Sequence, residues 1–443
     1  MIEFETKTAG VVKIFTDDIE ETALKQVYDI AENKFAENHI RIMPDVHAGK
    51  GITIGFSGLI GDYINPEHIG CDIGCNVTAE FFDKPIPVDK YEEFEHKIKK
   101  EIPMGFNINS ASKVSWRDLI AYINNKLDIA RVSTHGLIND IHFDTEKDIS
   151  DWLKNIKMNE ATFYQSISSL GGGNHFCEYD EFIDETNNVN KNKYAIIVHC
   201  GSRNLGLKVF NYWNNIAKNH IISKDELHNI TNNVKNNYVG DKKNIKNAIN
   251  AAIAEYQSHI HTGYLSGQHL RGYLTDMVIC QAYAQLNHDI IHMKIRNIYN
   301  KIVNGKPIEY ISSMHNYIDF DCETPIVRKG AVRANANEIF ILPFNMRDGV
   351  AICKGKGNED WNFTAPHGAG RKMSRSAAKH NLNVDDFKKT MNDAGIYTTT
   401  ADMSTLDEAP DAYKPKSEII ENIKDTCDIL YFMQPKINIK AAE

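Results

Sequence analysis

Histidine and cysteine recur along this chain at the ends of short apolar runs, inside loops rich in glycine, and this pattern limits what the chain can fold into. Tyr194-Ala195-Ile196-Ile197-Val198-His199 leads into Cys200-Gly201-Ser202-Arg203. Ile308 to Met314 leads into His315-Asn316, and Ala365-Pro366-His367 into Gly368-Ala369-Gly370-Arg371. Two further clusters, Gly70-Cys71-Asp72-Ile73-Gly74-Cys75 and Ser169-Leu170-Gly171-Gly172-Gly173-Asn174-His175-Phe176, have the same character. Apolar runs this short read as buried strands, and loops at strand ends are where sites tend to be built. Segments this far apart in sequence share a site only if the strands carrying them lie side by side.

The remaining signals fill in the architecture. Ile339 to Phe344 is another strand candidate. Leu270, Leu274, Met277, Tyr283, Leu286 and Ile290 recur at three- or four-residue steps with small slips, predicting one long helix from about Leu265 to Val303. Shorter helices are expected near Thr22 to Phe35, Val88 to Ile102 and Ser417 to Ile423. Asn187 to Lys193 reads as a polar loop, and the stretch Thr231 to Asn250, with Lys242, Lys243 and Lys246, as the end of one helix and the start of the next. Strands and helices mix without a βαβ rhythm, so the expected fold class is mixed α/β (α+β): one compact domain over residues 1–443, with mixed sheets flanked by helices. No repeat, heptad run or Pro/Ser-rich linker divides the 443 residues.

Composition excludes several classes. A hydrophobic fraction of 42% with 25% charged residues is that of an ordinary globular protein. No apolar run approaches the roughly 20 residues of a membrane helix, and Met1-Ile2-Glu3-Phe4-Glu5 lacks the basic and apolar regions of a signal peptide; a cytoplasmic location is the expectation. Eight cysteines are too few for a disulfide scaffold, and the Cys71–Cys75 spacing is not that of a zinc ribbon. A net charge of −9 is not the footprint of a protein that coats nucleic acid by bulk attraction, although a local basic groove would suffice for an RNA.

The clusters carry chemistry. Asp72 and Cys75 are close enough in sequence to reach one metal centre from a tight turn, and a thiolate can bridge two cations. His199, at a strand end, is placed to ligate a metal, and Arg203 to hold a phosphate. Small residues after His367 leave its ring open, backbone amides of Gly368 to Gly370 can face phosphate oxygens, and Arg371 and Arg375 add charge. A neutral imidazole exposed in this way can act as a nucleophile. Each cluster alone also fits a plainer role: a buried cysteine in a turn, a flexible triple glycine, a structural histidine, or a phosphate turn in which His367 only donates a hydrogen bond.

Taken together and in order, beginning at Met43-Pro44-Asp45-Val46-His47-Ala48-Gly49-Lys50-Gly51, these segments resemble the RtcB family of RNA ligases over nearly the whole chain. The resemblance implies a pair of manganese ions, with Asp72, Cys75 and His175 matching the ligands of one ion and Cys75, His199 and His315 those of the other. It implies that His367 becomes guanylylated from GTP. Positions matching the GMP surroundings are Asn174, His175, Phe176, Cys177, Glu178, His315, Asn316, Pro343, Phe344, Asn345, Met346, Gly368, Ala369, Gly370 and Lys440. Arg203, Arg371 and Arg375 match a phosphate and RNA surface. The implied activity joins a 3′-phosphate or 2′,3′-cyclic phosphate to a 5′-hydroxyl on broken RNA, in repair or tRNA splicing, with an archease-like activating protein as partner. Asp407-Glu408-Ala409-Pro410-Asp411-Ala412-Tyr413-Lys414 looks like the family's stretch before its last strand.

Three positions depart from the family. Pro343-Phe344-Asn345-Met346-Arg347 stands where the family commonly has Pro-Gly-Ser-Met-Gly; the segment is expected to line the nucleotide pocket still, with Phe344 or Arg347 packing against the ribose or base. Asn204 replaces a glycine after Gly-Ser-Arg, and the chain ends Lys440-Ala441-Ala442-Glu443 rather than lysine-glycine. Two readings from other classes stand beside the ligase: a dinuclear-metal phosphohydrolase acting on nucleic acid ends, and a non-catalytic RNA-binding module.

Overall fold

The computed structural model describes residues 1–33, 38–134, 136–183, 193–219, 224–238, 244–258 and 263–441. Its centre is a seven-stranded sheet in the spatial order Pro307–Met314, Asn76–Phe82, Tyr194–Cys200, Phe176–Ile183, Cys427–Lys440, Gly349–Gly355, Ile339–Asn345. Every neighbouring pair in it is antiparallel. Strands adjacent in space are mostly distant in sequence, which is why no βαβ rhythm is visible. A six-stranded sheet follows the order Ile2–Thr6, Gly10–Ile14, Asn38–His47, Ile54–Leu59, Ile326–Lys329, Asn316–Asp319. The short pair Ala331–Arg333 and Thr364–Pro366 lies antiparallel beside them. The architecture is the expected α+β mixture.

Strand alternation gives the central sheet two different faces. On one, Cys177, Tyr179, Ile196, Val198, Cys200, Ile437 and Ile439 pack with Phe94 and Ile98 of the helix Tyr91–Glu101 and with Ile291, Ile295 and Ile298 of the helix Gly267–Val303. On the other, Val77, Ala79, Phe81, Phe176, Ala195 and Ile197 meet Ile341, Val350 and Ile352. Each such side chain, fully buried, contributes about 1.5–3 kcal/mol of transfer free energy.

The long helix Gly267–Val303 matches the reading from its apolar spacing and buries Leu270, Leu274, Met277, Tyr283 and Ile290. It also carries buried polar groups that fix the site. Asn287 Oδ1 accepts from the backbone N–H groups of Ser168 (2.7 Å) and Ser169 (3.2 Å), and His288 Nε2 donates to Cys200 O (2.9 Å). One helix thereby pins both the loop leading to His175 and the strand end carrying His199.

The shorter helices fall where expected, as Glu21–Ala31, Tyr91–Glu101 after a single 3-10 turn at Val88–Lys90, and Lys416–Asn422. The first ends before Lys34 and Phe35, which lie outside the described residues, as do 187–192 of the polar loop and Lys242 and Lys243. Thr231 to Asn250 spans the end of Lys224–Asn237 and the start of Ile245–Ser258. Among the described residues no helix is long and apolar enough to cross a membrane.

Candidate active site and metal centre

Cys75 and His175 each immediately precede a strand of the central sheet, and His199 lies one residue before the end of the strand between them. His315 sits in the one-residue break between Pro307–Met314 and Asn316–Asp319. The sequence placed these side chains after strands; two of them stand before one. The register pairs Val77 and Phe176 with His199 and Asn76 with Met314, so all four residues reach the same end of the sheet.

Their donor atoms form a chain. Asp72 Oδ2 lies 3.1 Å from His175 Nε2, which lies 3.3 Å from Cys75 Sγ. Cys75 Sγ is 3.2 Å from His199 Nε2, itself 3.2 Å from His315 Nε2. The ligating atoms of Cys75, His175 and His199 all lie within 4.8 Å of one another.

The tautomers show what this arrangement is for. His199 Nδ1 faces the carbonyl oxygen of Asn174 (3.1 Å) and His315 Nδ1 that of Ser313 (3.3 Å), so each Nδ1 carries the hydrogen and donates it. Burial holds both imidazoles neutral, His315 down to about 3 and His199 well below its ordinary range. Two Nε2 lone pairs therefore face each other beside a sulfur atom. Acceptor against acceptor is unfavourable without a cation between them, and carbonyls that orient the far nitrogen are the usual support of metal-bound histidine. The donor set fits cation binding.

The charges agree. Burial works against an ionised Asp72, but the adjacent His175 and a hydrogen bond from Cys75 outweigh it and hold the carboxyl down at about 2. Burial, and then Asp72, push the Cys75 thiol well above its ordinary range. A coordinated cation reverses that preference and favours the thiolate.

The glycines around this centre make room for ligands. A Cβ on Gly171 would sit 1.8 Å from His175 Nδ1, and one on Gly201 2.4 Å from Asp72 Oδ1. The triple glycine is thus a packing requirement of His175 as much as a turn.

His367 follows the short strand Thr364–Pro366. Its Nδ1 lies 2.6 Å from Asp45 Oδ2, and the same oxygen accepts from the His367 backbone N–H at 3.2 Å. Asp45 is fully buried on the strand Asn38–His47. An ionised carboxylate only accepts, so Nδ1 carries the hydrogen and Nε2 keeps its lone pair. The ring centroids of His367 and His315 are 5.0 Å apart, which brings the nucleophile candidate against the metal centre. A Cβ on Gly370, where φ is +73°, would come within 2.2 Å of Asp45 O, so the loop after His367 can close on that strand only with glycine there.

A cavity of about 900 Å³ opens over both groups. Asp72, Cys75, Asn174, Phe176, Glu178, His199, His315, Asn316, His367, Gly368, Ala369, Gly370, Arg371, Arg375 and Lys440 line it, with Pro343, Phe344, Asn345 and Met346 along one side. His175 is not on this wall; it meets the wall residues Asp72 and Cys75.

Two more of the expected residues, Cys177 and Arg203, are not on its wall. Cys177 alternates away from Phe176 and Glu178 into the opposite core, and burial, with nearby Glu178 and Asp180, pushes its thiol up. Arg203 turns aside to donate to Ser169 Oγ (3.0 Å) and Gly105 O (2.5 Å). The bulky segment keeps its expected place along the cavity through Pro343, Phe344, Asn345 and Met346, whereas Arg347 is not on the wall. The Phe344 ring is 3% exposed and sits in a core with Ile419, Ile423 and Phe432, while Arg347 pairs with Asp348 at 2.8 Å.

Among the residues of the site that were given no role from sequence are Asp45, Glu408 and Asn438. Asp45 lay within the first motif of the resemblance, but nothing local pointed to its partner. Glu408 is buried and takes Arg371 (3.2 Å), Lys440 (3.2 Å), Arg375 (3.9 Å) and the Tyr413 hydroxyl (2.5 Å). Burial opposes its charge, yet Lys440, Arg371 and Arg375 outweigh that and lower its pKa. Asn438 donates from Nδ2 to Glu178 Oε2 at 2.6 Å. A period of two from Lys440 could have placed it on the same face. Burial pushes Glu178 up to about 8, against the Asn438 bond and the Lys440 charge.

Comparison with known proteins agrees with this geometry. Residues 26–441 match the family model described as tRNA-splicing ligase RtcB. The chain is 26% identical to the RNA-splicing ligase RtcB of Escherichia coli K12, over 99% of both chains. It is 24% identical to the tRNA-splicing ligase RtcB of Archaeoglobus fulgidus, over 91% of this chain and 87% of that one. A metal-capable cysteine–histidine centre, a buried carboxylate holding an open histidine, and a match across nearly the whole chain lead to one conclusion: this protein belongs to the RtcB family and is an RNA ligase.

Proposed function

We propose that the ligase works through His367, with GTP as the activating nucleotide, two manganese ions at the Asp72/Cys75/His175/His199/His315 donors, and RNA carrying a 3′-phosphate and a 5′-hydroxyl as substrate. The observation that carries this reading is the Asp45–His367 pair at 2.6 Å beside the metal donors. A phosphohydrolase centre needs no such oriented histidine. Asp72, Cys75 and His175 would hold one ion and Cys75, His199 and His315 the other. When bound, the ions polarise the phosphate oxygens and offset the charge that develops on the leaving group.

The protein's own groups then act in sequence. His367 Nε2 attacks the α-phosphorus of GTP; the N–P bond forms as the bond to pyrophosphate breaks, and the Nδ1 hydrogen stays against Asp45. Asp45 stabilises the positive charge gained by the ring. An oxygen of the RNA 3′-phosphate next displaces the histidine, taking GMP and returning the lone pair to Nε2. The 5′-hydroxyl finally attacks the 3′-phosphorus, losing its proton as GMP departs. Arg371 and Arg375, steadied by Glu408, contribute positive charge along the phosphate path.

Guanine is read by Glu178 and Lys440. A carboxylate accepts from N1–H and the 2-amino group, and a lysine donates to O6, a pattern that adenine cannot match. A single domain spanning residues 1–443, a cytoplasmic setting and an archease-like activator complete this reading.

The test is incubation with α-labelled GTP and manganese, followed by denaturing electrophoresis. The chain should retain acid-labile, base-stable label, and His367→Ala should retain none while keeping its fold and metal. Undiminished label in His367→Ala would refute the assignment.

A further inference from the structure

The cavity wall around Glu178 contains one acceptor that the ligase chemistry leaves unused. Asn438 borders the cavity, is 1% exposed, and lies opposite Glu178 on the neighbouring antiparallel strand. Its amide orientation is set by its partner. Nδ2 points at Glu178 Oε2, which it reaches at 2.6 Å, the orientation that a Glu178 carboxylate holding guanine donors requires, and Oδ1 is turned the other way. Oδ1 is buried and has no hydrogen-bond partner. Leaving a buried amide oxygen unpaired is costly, so such an atom in a binding cavity marks the place of a ligand donor.

The neighbours identify which donor. Phe176 pairs with Lys440, and Glu178 with Asn438, in consecutive rungs on one face of the sheet. Lys440 Nζ gives two of its three hydrogens to Gly173 O and Glu408 Oε2, keeping one for the cavity. Along this face the wall therefore presents a donor, a carboxylate and a second acceptor. Asp180, two residues beyond Glu178 and fully buried, also has both oxygens unpaired. Burial, and then Glu178, push it well above the carboxylate range, so it is protonated.

We propose that Asn438 is a specificity-determining residue whose Oδ1 accepts a hydrogen from the exocyclic 2-amino group of guanine, while its Nδ2 orients Glu178. This rests on the reading of the cavity as a guanine nucleotide site. The 2-amino group carries two hydrogens; Glu178, which also takes N1–H, accepts one, and the second points to the neighbouring strand, where Asn438 stands. Lys440 faces O6. The purine that fits has an acceptor followed by two donors along its edge, and hypoxanthine lacks the last of these.

The experiment compares GMP with IMP, which differ only in that amino group, by calorimetric titration of the full chain in manganese. The wild type should bind GMP about tenfold or more tightly than IMP, and Asn438→Ala should cut that preference about five- to tenfold, chiefly by weakening GMP. Equal affinity for GMP and IMP in the wild type would overturn the proposal. So would equal losses for both nucleotides in Asn438→Ala, which would leave Asn438 only a prop for Glu178. If Asn438→Ala does not fold, Asn438→Ser makes the same comparison and the wild-type ratio still decides. Label transfer from GTP is measured separately: no label with the GMP preference intact would refute the His367 reading and leave this one standing.

Discussion

Replacing Asp45 by asparagine should disable the nucleophile without removing it. One oxygen of the buried carboxylate accepts both from the His367 ring nitrogen at 2.6 Å and from the His367 backbone N–H at 3.2 Å. The other oxygen is buried without a partner. Asparagine has two ways to occupy this space. If its oxygen faces His367, its buried amide N–H groups must find acceptors or cost about 1–3 kcal/mol of stability, and the ring loses a full negative charge beside it. If its nitrogen faces His367, it opposes the backbone N–H and forces the ring hydrogen onto Nε2, where the lone pair is needed. In hydrolytic triads a wrong tautomer of this kind costs about 10⁴ in rate. With some molecules in the first orientation, a loss of about 10²–10⁴ is expected, or about 2.7–5.5 kcal/mol of activation free energy. The assay is single-turnover label incorporation from α-labelled GTP, with thermal unfolding and metal content measured on the same sample. A folded, metal-loaded Asp45→Asn protein labelling within about threefold of wild type would refute the reasoning.

Three further outcomes are expected. Cys75→Ser should lower the occupancy of both metals, whereas His199→Ala should chiefly lower one; two full ions by metal analysis in Cys75→Ser would rule out a bridging thiolate. Glu178, held up at about 8 by burial, is largely protonated at neutral pH before nucleotide binds, and guanine donors favour its carboxylate. GTP affinity should therefore rise with pH up to about 8 and then level, with proton release detectable by calorimetry in buffers of different ionisation enthalpy; a flat profile, or one unchanged in Glu178→Gln, would contradict this. For folding, the raised carboxyl contributes stability that is fully present below its ordinary range near 4.5 and is lost as pH rises through about 8. Phe344→Gly should act on stability, by about 3–5 kcal/mol as for large core truncations, with little change in GTP dependence once folded; unaltered unfolding with weakened GTP binding would return the ring to the nucleotide.

Much of this site was legible because the clusters are local. Gly171, four residues before His175, is needed at short range, and the long helix announced itself by its apolar spacing. What was hidden depends on pairing between distant strands. Cys177 and Glu178 are neighbours in sequence, yet alternation sends one into the core and the other into the cavity. Which of the two does so is fixed only by the register of Phe176 against His199 and Lys440. Phe344 borders the cavity, yet Phe340 and Leu342 share its face and lie with it in one core. Asp45 and His367 are 322 residues apart, and no periodicity connects them.

Charge explains why the cavity needs both its halves. A chain of net charge −9 cannot draw RNA by bulk attraction, so neutralisation must be local. The basic side chains on the cavity wall are Lys50, Arg371, Arg375 and Lys440, and the last three share Glu408. Nearby Lys379 is likewise paired with Asp407 at 3.2 Å. Four cations against Glu408 and Glu20 leave fewer positive charges than the triphosphate of the proposed nucleotide carries negative ones. Glu408 spends part of the basic wall on holding its geometry, which preorganises the donors at the expense of field strength. The balance has to come from the opposite side of the cavity, where Asp72, Cys75 and three histidines stand ready for divalent cations. A variant that frees the basic wall, such as Glu408→Gln, would gain positive potential and lose the positions of Arg371, Tyr413 and Lys440 together. If geometry governs, its labelling rate falls despite the added charge; if field strength governs, it rises.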